Sequence, residues 1–271
     1  MKKTQQSVCL GLILSCLLFA CASTTEQGAV GVDRRQMLLV PNEQIIRASL
    51  AGYDQTKREA SDKGVLDKNP DQVRRVQEIL RRLIPPTTIF RSEAKDWPWE
   101  AHVISSPELN AYCMPGGKII FYSGIIEKLA LTDDEIAAIM GHEIAHALRE
   151  HGRERMSEEL IKQIGLQLLV ETGTMDAKYM SAANLVTTLS VTLRHGRRQE
   201  SEADEIGLEL AARAGYNPRG AVSLWKKMGG ASGGSGMPEF LSTHPASDRR
   251  SAELEGLLPK VMPFYKGQPR N

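Results

Sequence analysis

The chain has 271 residues, 41% of them apolar and 25% charged, which is ordinary for a globular protein and enough to bury a sizeable core. Its 34 Lys and Arg nearly cancel its 33 Asp and Glu, for a formal net charge of +1. With the two signs interspersed, the charge gives no reason to propose nucleic acid as a partner.

At the N-terminus, Lys2 and Lys3 precede an apolar run over residues 8–19, short for a membrane span and right for a signal-peptide core. The run ends at Leu18-Phe19-Ala20-Cys21, which is similar to a bacterial lipobox, with a small residue before the cysteine that would be lipidated. Residues 1–21 are therefore read as a signal peptide whose lipidation site is Cys21, although Phe19 is unusual in such a box. Cys16, after Ile13-Leu14-Ser15, is a weaker second choice, and an uncleaved anchor is the alternative reading. Each of these exports the rest of the chain, so the expected location is the periplasmic face of a bacterial membrane, the outer membrane first. Once Cys9, Cys16 and Cys21 are accounted for, only Cys113 remains, and no internal disulfide is expected. Cys113 reads as a small hydrophobe in a strand.

Residues 22–42 mix Ser, Thr, Gly and charge without a period and are expected to be a tether, with a catalytic domain over 43–271. Pro41-Asn42 opens a first helical pattern. Asn69-Pro70 starts a clearer one that places Val73, Val76, Ile79, Leu80 and Leu83 on one face before Pro85-Pro86 ends it. A small β region follows. Trp99, Ala101 and Val103 alternate with polar neighbours, His102 among them as a packed or surface residue. Two further strands, 110–114 and 118–122, flank a Pro115-Gly116-Gly117 turn, and the edge strand of this hairpin could take an extended peptide by main-chain pairing.

Thr132-Asp133-Asp134-Glu135 is a capping box that starts a helix carrying His142-Glu143-Ile144-Ala145-His146. Two histidines four residues apart on a helix, with a glutamate beside the first, make the zinc-hydrolase pattern in which the histidines hold metal and the glutamate activates water. On a helical wheel, Ile136, Met140, Ile144, Ala147 and Leu148 form a buried stripe. His142 and His146 fall at roughly 240° and 280°, with Glu143 at roughly 340° between them and the core. His151, if the helix persists, falls on the core side and reads as a capping or packing residue unable to reach the same metal. Apolar helical patterns over 160–170 and 180–193 are too short to cross a bilayer, and 229–236 reads as a flexible Gly/Ser loop.

A third ligand is needed, with the fourth position left to water. Gly152 stands six residues after His146, where the metzincin pattern needs a histidine, so that class is excluded. In Glu200-Ser201-Glu202-Ala203-Asp204, Glu200 and Asp204 share a helix face with Ala203, Gly207, Ala211 and Ala214. These small residues would let the helix approach the histidines closely. Glu200 is the candidate ligand, and Asp204 is placed to accept a hydrogen bond from a ligand histidine. Glu202, Glu205 and Glu209 read as a solvated face.

Taken together, Asn110-Ala-Tyr, Pro115-Gly-Gly, Ser123-Gly124, the pentad, Arg198-Gln-Glu-Ser-Glu-Ala-Asp204 and His244-Pro245 with Arg250 resemble the zinc metallopeptidase family of the CAAX prenyl protease, HtpX, LoiP and BepA. The resemblance covers about residues 70–258 in the family's order. It implies a gluzincin-type α+β domain, mainly helical, with an HExxH helix, a second ligand-bearing helix and a small sheet at the cleft edge. It also implies one Zn2+ per chain held by His142, His146 and Glu200, with Glu143 as general base and Asp204 behind the ligands. His244 and Arg250 are implied to face the substrate and share the oxyanion charge, and Asn110 to contact it. Without the family, His244 before Pro245 reads equally well as a helix-start residue in a loop. The membrane spans of some relatives are lacking, which favours the lipid-anchored periplasmic branch.

The expected activity is hydrolysis of peptide bonds in unfolded or misfolded envelope proteins, a quality-control role. The alternative is a lipid-anchored, chaperone-like binding protein that uses the hairpin edge and keeps the metal as structure. Retention of Glu143 beside Glu200, Asp204 and Arg250 argues against it, because such a protein has no chemical need of a water-activating base.

Overall fold

The computed structural model describes residues 21–172, 174, 196–231, 239–244 and 248–267. The leader through Ala20, the apolar pattern over 180–193, residues 232–236 of the Gly/Ser stretch and Pro245 lie outside the described residues. Strand β1 (Cys21–Ala22) pairs antiparallel with β2 (Gln36–Met37). Helices α1 (Asn42–Asp62) and α2 (Pro70–Leu83) follow, then strands β3 (Glu100–Ile104), β4 (Ala111–Met114) and β5 (Lys118–Tyr122). Among the described residues the further α-helices are α3 (Ser123–Lys128), α4 (Asp133–Leu148), α5 (His151–Glu171), α6 (Arg197–Arg213), α7 (Arg219–Ala231), α8 (Glu239–Thr243) and α9 (Asp248–Val261). The architecture is mainly helical with one three-stranded sheet, as expected from the sequence.

Local chemistry accounts for the elements that frame the site. Asn69 accepts hydrogen bonds from the Asp71 and Gln72 backbones, Pro70 occupies the first turn, and α2 buries Val76, Ile79, Leu80 and Leu83. Thr132 Oγ1 accepts from Glu135 N at 3.3 Å while Glu135 Oε2 accepts from Thr132 N at 2.8 Å, which fixes the start of α4. From Glu135 to Leu148 every residue of α4 is buried, so the one-sided apolar stripe read from the wheel understates its burial. Helices α2, α6 and α7 and strand β4 surround it. The closest approach is to α6. A Cβ on Gly207 would stand 2.7 Å from His142 N, and one on Gly141 would stand 2.8 Å from Gly207 O. Only glycine at both positions lets the two helices meet backbone to backbone.

In the sheet, β5 lies between β3, to which it is parallel, and β4, to which it is antiparallel. The β4–β5 turn uses Gly116 and Gly117 at φ of 86° and 78°, conformations open to glycine. Strand β4 is an edge strand, packed beside α4.

Residues 22–42 are packed onto the domain and do not form a loose tether. Val30, Val32 and Gln36 are buried, Glu26 N donates to Phe90 O at 2.7 Å, and the Ala29 and Val30 amides donate to Glu209 Oε2 at 2.8 and 3.0 Å. Glu202 and Glu209, assigned from sequence to a solvated face, are correspondingly buried. Their carboxylates are satisfied by this N-terminal strap and by neighbouring arginines. Helix α5 is separated from α4 by Glu150 in the left-handed region at φ 49°. Its outer part is helical as expected, with Leu160, Ile164 and Leu168 exposed. Helix α7 runs through Gly229 and Gly230, where a loop was expected. Among the described residues no helix is long and apolar enough to cross a membrane.

Candidate metal centre

Helix α4 supplies His142, Glu143 and His146, α6 supplies Glu200 and Asp204, and the end of α8 is followed by His244. Side-chain donor atoms of His142, His146, Glu200 and His244 lie within 4.8 Å of one another, and all four residues are buried. His142 Nε2 and His146 Nε2 are 3.0 Å apart. Glu200 places Oε1 3.4 Å from His146 Nε2 and Oε2 3.6 Å from His142 Nε2. The helical offsets read from sequence thus converge on one point, because the Gly141–Gly207 contact brings α6 close enough.

Asp204 Oδ1 lies 3.0 Å from His142 Nδ1 and accepts a hydrogen bond from Nδ1–H, which turns Nε2 toward the other donors. Burial and the charges of neighbouring rings push the His146 pKa well below the ordinary value, which favours its neutral ring. Two imidazole nitrogens facing each other at 3.0 Å beside a carboxylate form a nitrogen–oxygen donor set suited to a divalent cation such as zinc.

Electrostatics separates the carboxylates. Burial raises the Glu143 pKa and outweighs the opposing influence of His244 and His142, and Glu143 Oε1 is buried with no hydrogen-bond partner among the described residues. Burial would raise Glu200 and Asp204 as well, but His244, His142 and Arg250 hold Glu200 far below the usual range, and Arg250 and His142 hold Asp204 down. One carboxylate is therefore available to take a proton while two remain ionised.

Arg250 has a different surrounding from the one implied for a residue facing substrate. It is buried, donates from Nε and Nη2 to Asp204 at 2.7 Å each, approaches Glu200 Oε2 from Nη1 at 2.7 Å and lies over the Trp225 ring at 3.6 Å. Its place is behind the carboxylates, because two anions on α6 need a cation where water is excluded. His244 stands inside the cluster, with Nδ1 2.9 Å from Glu200 Oε1 and 3.2 Å from His142 Nε2, and Nε2 3.4 Å from Glu143 Oε1. Burial lowers its pKa, but Glu143 and Glu200 outweigh burial and raise it overall. Asn110 is half-buried at the entrance to β4, donates to Glu108 Oε1 at 3.0 Å and accepts from Ala111 N at 2.9 Å. Burial and Glu143 keep the Cys113 thiol protonated, consistent with a packing role.

His151 is buried and stands outside the ligand set, as a core-side packing residue should, but its contact with His146 does not follow from the sequence. Its Nδ1 lies 2.8 Å from His146 Nδ1 and its Nε2 lies 3.1 Å from Glu202 Oε2. The left-handed Glu150 breaks the helical register and swings the ring toward His146, which a wheel continued from α4 cannot anticipate. No sequence signal marked that break.

Residues 70–258 match the family described as Peptidase family M48. Among curated relatives, the mitochondrial metalloendopeptidase OMA1 of Arabidopsis thaliana is 38% identical over 156 residues, 58% of this chain and 31% of that protein. OMA1 of Schizosaccharomyces pombe is 30% identical over 216 residues, 79% of this chain and 61% of that protein. The metalloprotease LoiP of Escherichia coli is 26% identical over 188 residues, 65% of this chain and 69% of that protein. The chain spans less than two thirds of the length of both OMA1 proteins.

Proposed function

The chain belongs to peptidase family M48, and from that premise we propose that it is a zinc-dependent endopeptidase acting on unfolded or misfolded proteins of a bacterial envelope. The observation that carries the reading is the convergence of His142, His146 and Glu200 beside a carboxylate, Glu143, whose Oε1 is buried and without a hydrogen-bond partner among the described residues. His142, His146 and Glu200 would hold the metal. When bound, zinc supplies Lewis acidity toward water and the scissile carbonyl.

The chain's own residues supply the remaining chemistry. Glu143, with its pKa raised by burial, takes a proton from the attacking water and returns it to the leaving amine. His244, with Nε2 3.4 Å from Glu143 Oε1, donates a hydrogen bond to the oxygen that gains charge. Arg250 acts from behind, holding Glu200 and Asp204 ionised. Edge strand β4 has one side paired to β5, and its other side offers main-chain groups to an extended substrate beside Glu143. Asn110, where the chain enters β4, would contact that substrate. Recognition through the main chain suits unfolded proteins, since it asks for exposed backbone before any particular side chain.

The export signal and Cys21 support a lipid-anchored location at the periplasmic face, with the outer membrane as the first site to examine. LoiP of Escherichia coli is a relative from an organism with such an envelope, whereas the OMA1 relatives are named as mitochondrial. Chelation tests the enzymatic reading. Treatment with a zinc chelator is expected to abolish cleavage of an unfolded outer-membrane protein and leave its binding intact, with zinc restoring cleavage. Cleavage that persists in the metal-free protein would refute the reading.

A further inference from the structure

The two metal-binding histidines are supported differently. His142 is held directly by Asp204, whereas His146 meets a second histidine. His151 Nδ1 faces His146 Nδ1 at 2.8 Å, and His151 Nε2 faces Glu202 Oε2 at 3.1 Å. Glu202 Oε2 already accepts from Arg149 Nε and Nη2 and from Arg34 Nη2, so it meets His151 as an acceptor. It therefore claims the proton on His151 Nε2, which leaves His151 Nδ1 as an acceptor. That acceptor claims the proton on His146 Nδ1, and the lone pair of His146 is left on Nε2, the nitrogen aimed at His142 and Glu200. Each hydrogen bond in the chain fixes the next.

Glu202 is itself fixed by two arginines. Arg149, 0% exposed, donates from Nε and Nη2 at 3.0 and 2.9 Å. Arg34 donates to Glu202 through Nε and Nη2, and through Nη1 and Nη2 to Glu154. The strap also receives the rest of Arg149: Ser23 Oγ, Thr25 Oγ1 and Arg34 O accept its remaining N–H groups at 3.1, 3.1 and 2.8 Å. Residues 23–36 thus form the outer wall of a buried charge cluster that reaches the metal centre through one histidine.

We propose that His151, Glu202 and Arg34 are positioning residues that set the tautomer and orientation of His146, so that docking of the N-terminal strap tunes metal affinity. This rests on the metal-centre reading above.

The test uses the full chain and zinc alone as the probe. Zinc affinity is measured by competition with a chromophoric chelator for wild type, His151→Phe, His151→Asn and Arg34→Ala, together with the thermal midpoint of each metal-free protein and the visible spectrum of its Co2+ form. His151→Phe keeps the ring and removes the acceptor, and is expected to weaken zinc binding by about 10- to 100-fold and to shift the cobalt bands. His151→Asn, whose Oδ1 can accept from His146 Nδ1, is expected to recover most of that loss. Arg34→Ala, at a side chain 23% exposed, is expected to weaken binding by a smaller factor. Wild-type affinity in His151→Phe, or equal weakening in His151→Phe and His151→Asn, would overturn the proposal. Should His151→Phe fail to fold, Arg34→Ala decides, and unchanged zinc affinity with an unchanged cobalt spectrum overturns it. A wild-type protein that binds no zinc would instead refute the metal centre itself.

Discussion

Two sides of one metal centre are built in contrasting ways. On the His142 side the support is short and local to the catalytic core: Asp204 on α6 touches the ring, and Arg250 on α9 grips Asp204 through two hydrogen bonds. On the His146 side it is long, passing through His151 and Glu202 to Arg149 and to a strap more than a hundred residues away in sequence. The first kind of support forms when the core packs. The second also requires the N-terminal segment to dock, so the metal centre senses a part of the chain that contributes no ligand.

Breaking the short side has the largest expected effect. Asp204→Ala takes from buried Arg250 the carboxylate that accepts two of its hydrogen bonds and removes the acceptor of His142, for an expected loss of about 3 kcal/mol in urea unfolding of the metal-free protein. Zinc affinity is expected to fall by about 10- to 100-fold in the same variant. Gly207→Ala wedges α4 from α6, since the new Cβ would stand 2.7 Å from His142 N. It should cost about 1–3 kcal/mol by the same measurement and weaken zinc without favouring either histidine. A Gly207→Ala protein with unchanged stability would show that the two helices can part without consequence.

Arg34→Ala breaks only the long side and should destabilise less, because its guanidinium is partly solvated. Acid gives the gentlest probe. Glu202 is held down to about 2, burial being outweighed by His151 and the arginines, and Glu154 is lowered through Arg34, Gln199 and Gln36. A depressed carboxylate contributes stability that is complete above its unfolded pKa of about 4.5 and is lost as pH falls through the folded value. Urea midpoints of the metal-free protein should therefore decline between about pH 4.5 and 2, and Arg34→Ala should flatten that decline.

What could be read from sequence follows the range of the interactions. The capping box of α4, the Asn69-Pro70 start of α2 and the Gly116-Gly117 turn are each settled within a few residues, and each stands where the pattern placed it. The pairing of Glu200 with Asp204 and the need for small residues on α6 were legible because helical geometry fixes which residues share a face. The docked strap was not legible. Residues 22–42 have no period, and what holds them is a set of buried carboxylates on α5 and α6 that look like ordinary surface charges when read alone. The position of His151 was hidden for another reason. A single left-handed residue, Glu150, ends one helix and starts the next, and nothing in Leu148-Arg149-Glu150-His151 announces it. His244 and Arg250 were identified by resemblance, and their surroundings differ: His244 lies among the ligands, while Arg250 backs the carboxylates.

The most direct measurement is the rate at which Glu143→Gln protein, purified with zinc bound, cleaves an unfolded envelope protein. Gln fills the same space as Glu and cannot take the proton, so cleavage should fall by at least about 100-fold while zinc content and thermal midpoint stay near those of wild type. Cleavage at the wild-type rate by the zinc-loaded variant would contradict the assignment of Glu143 as the base and the peptidase mechanism built on it.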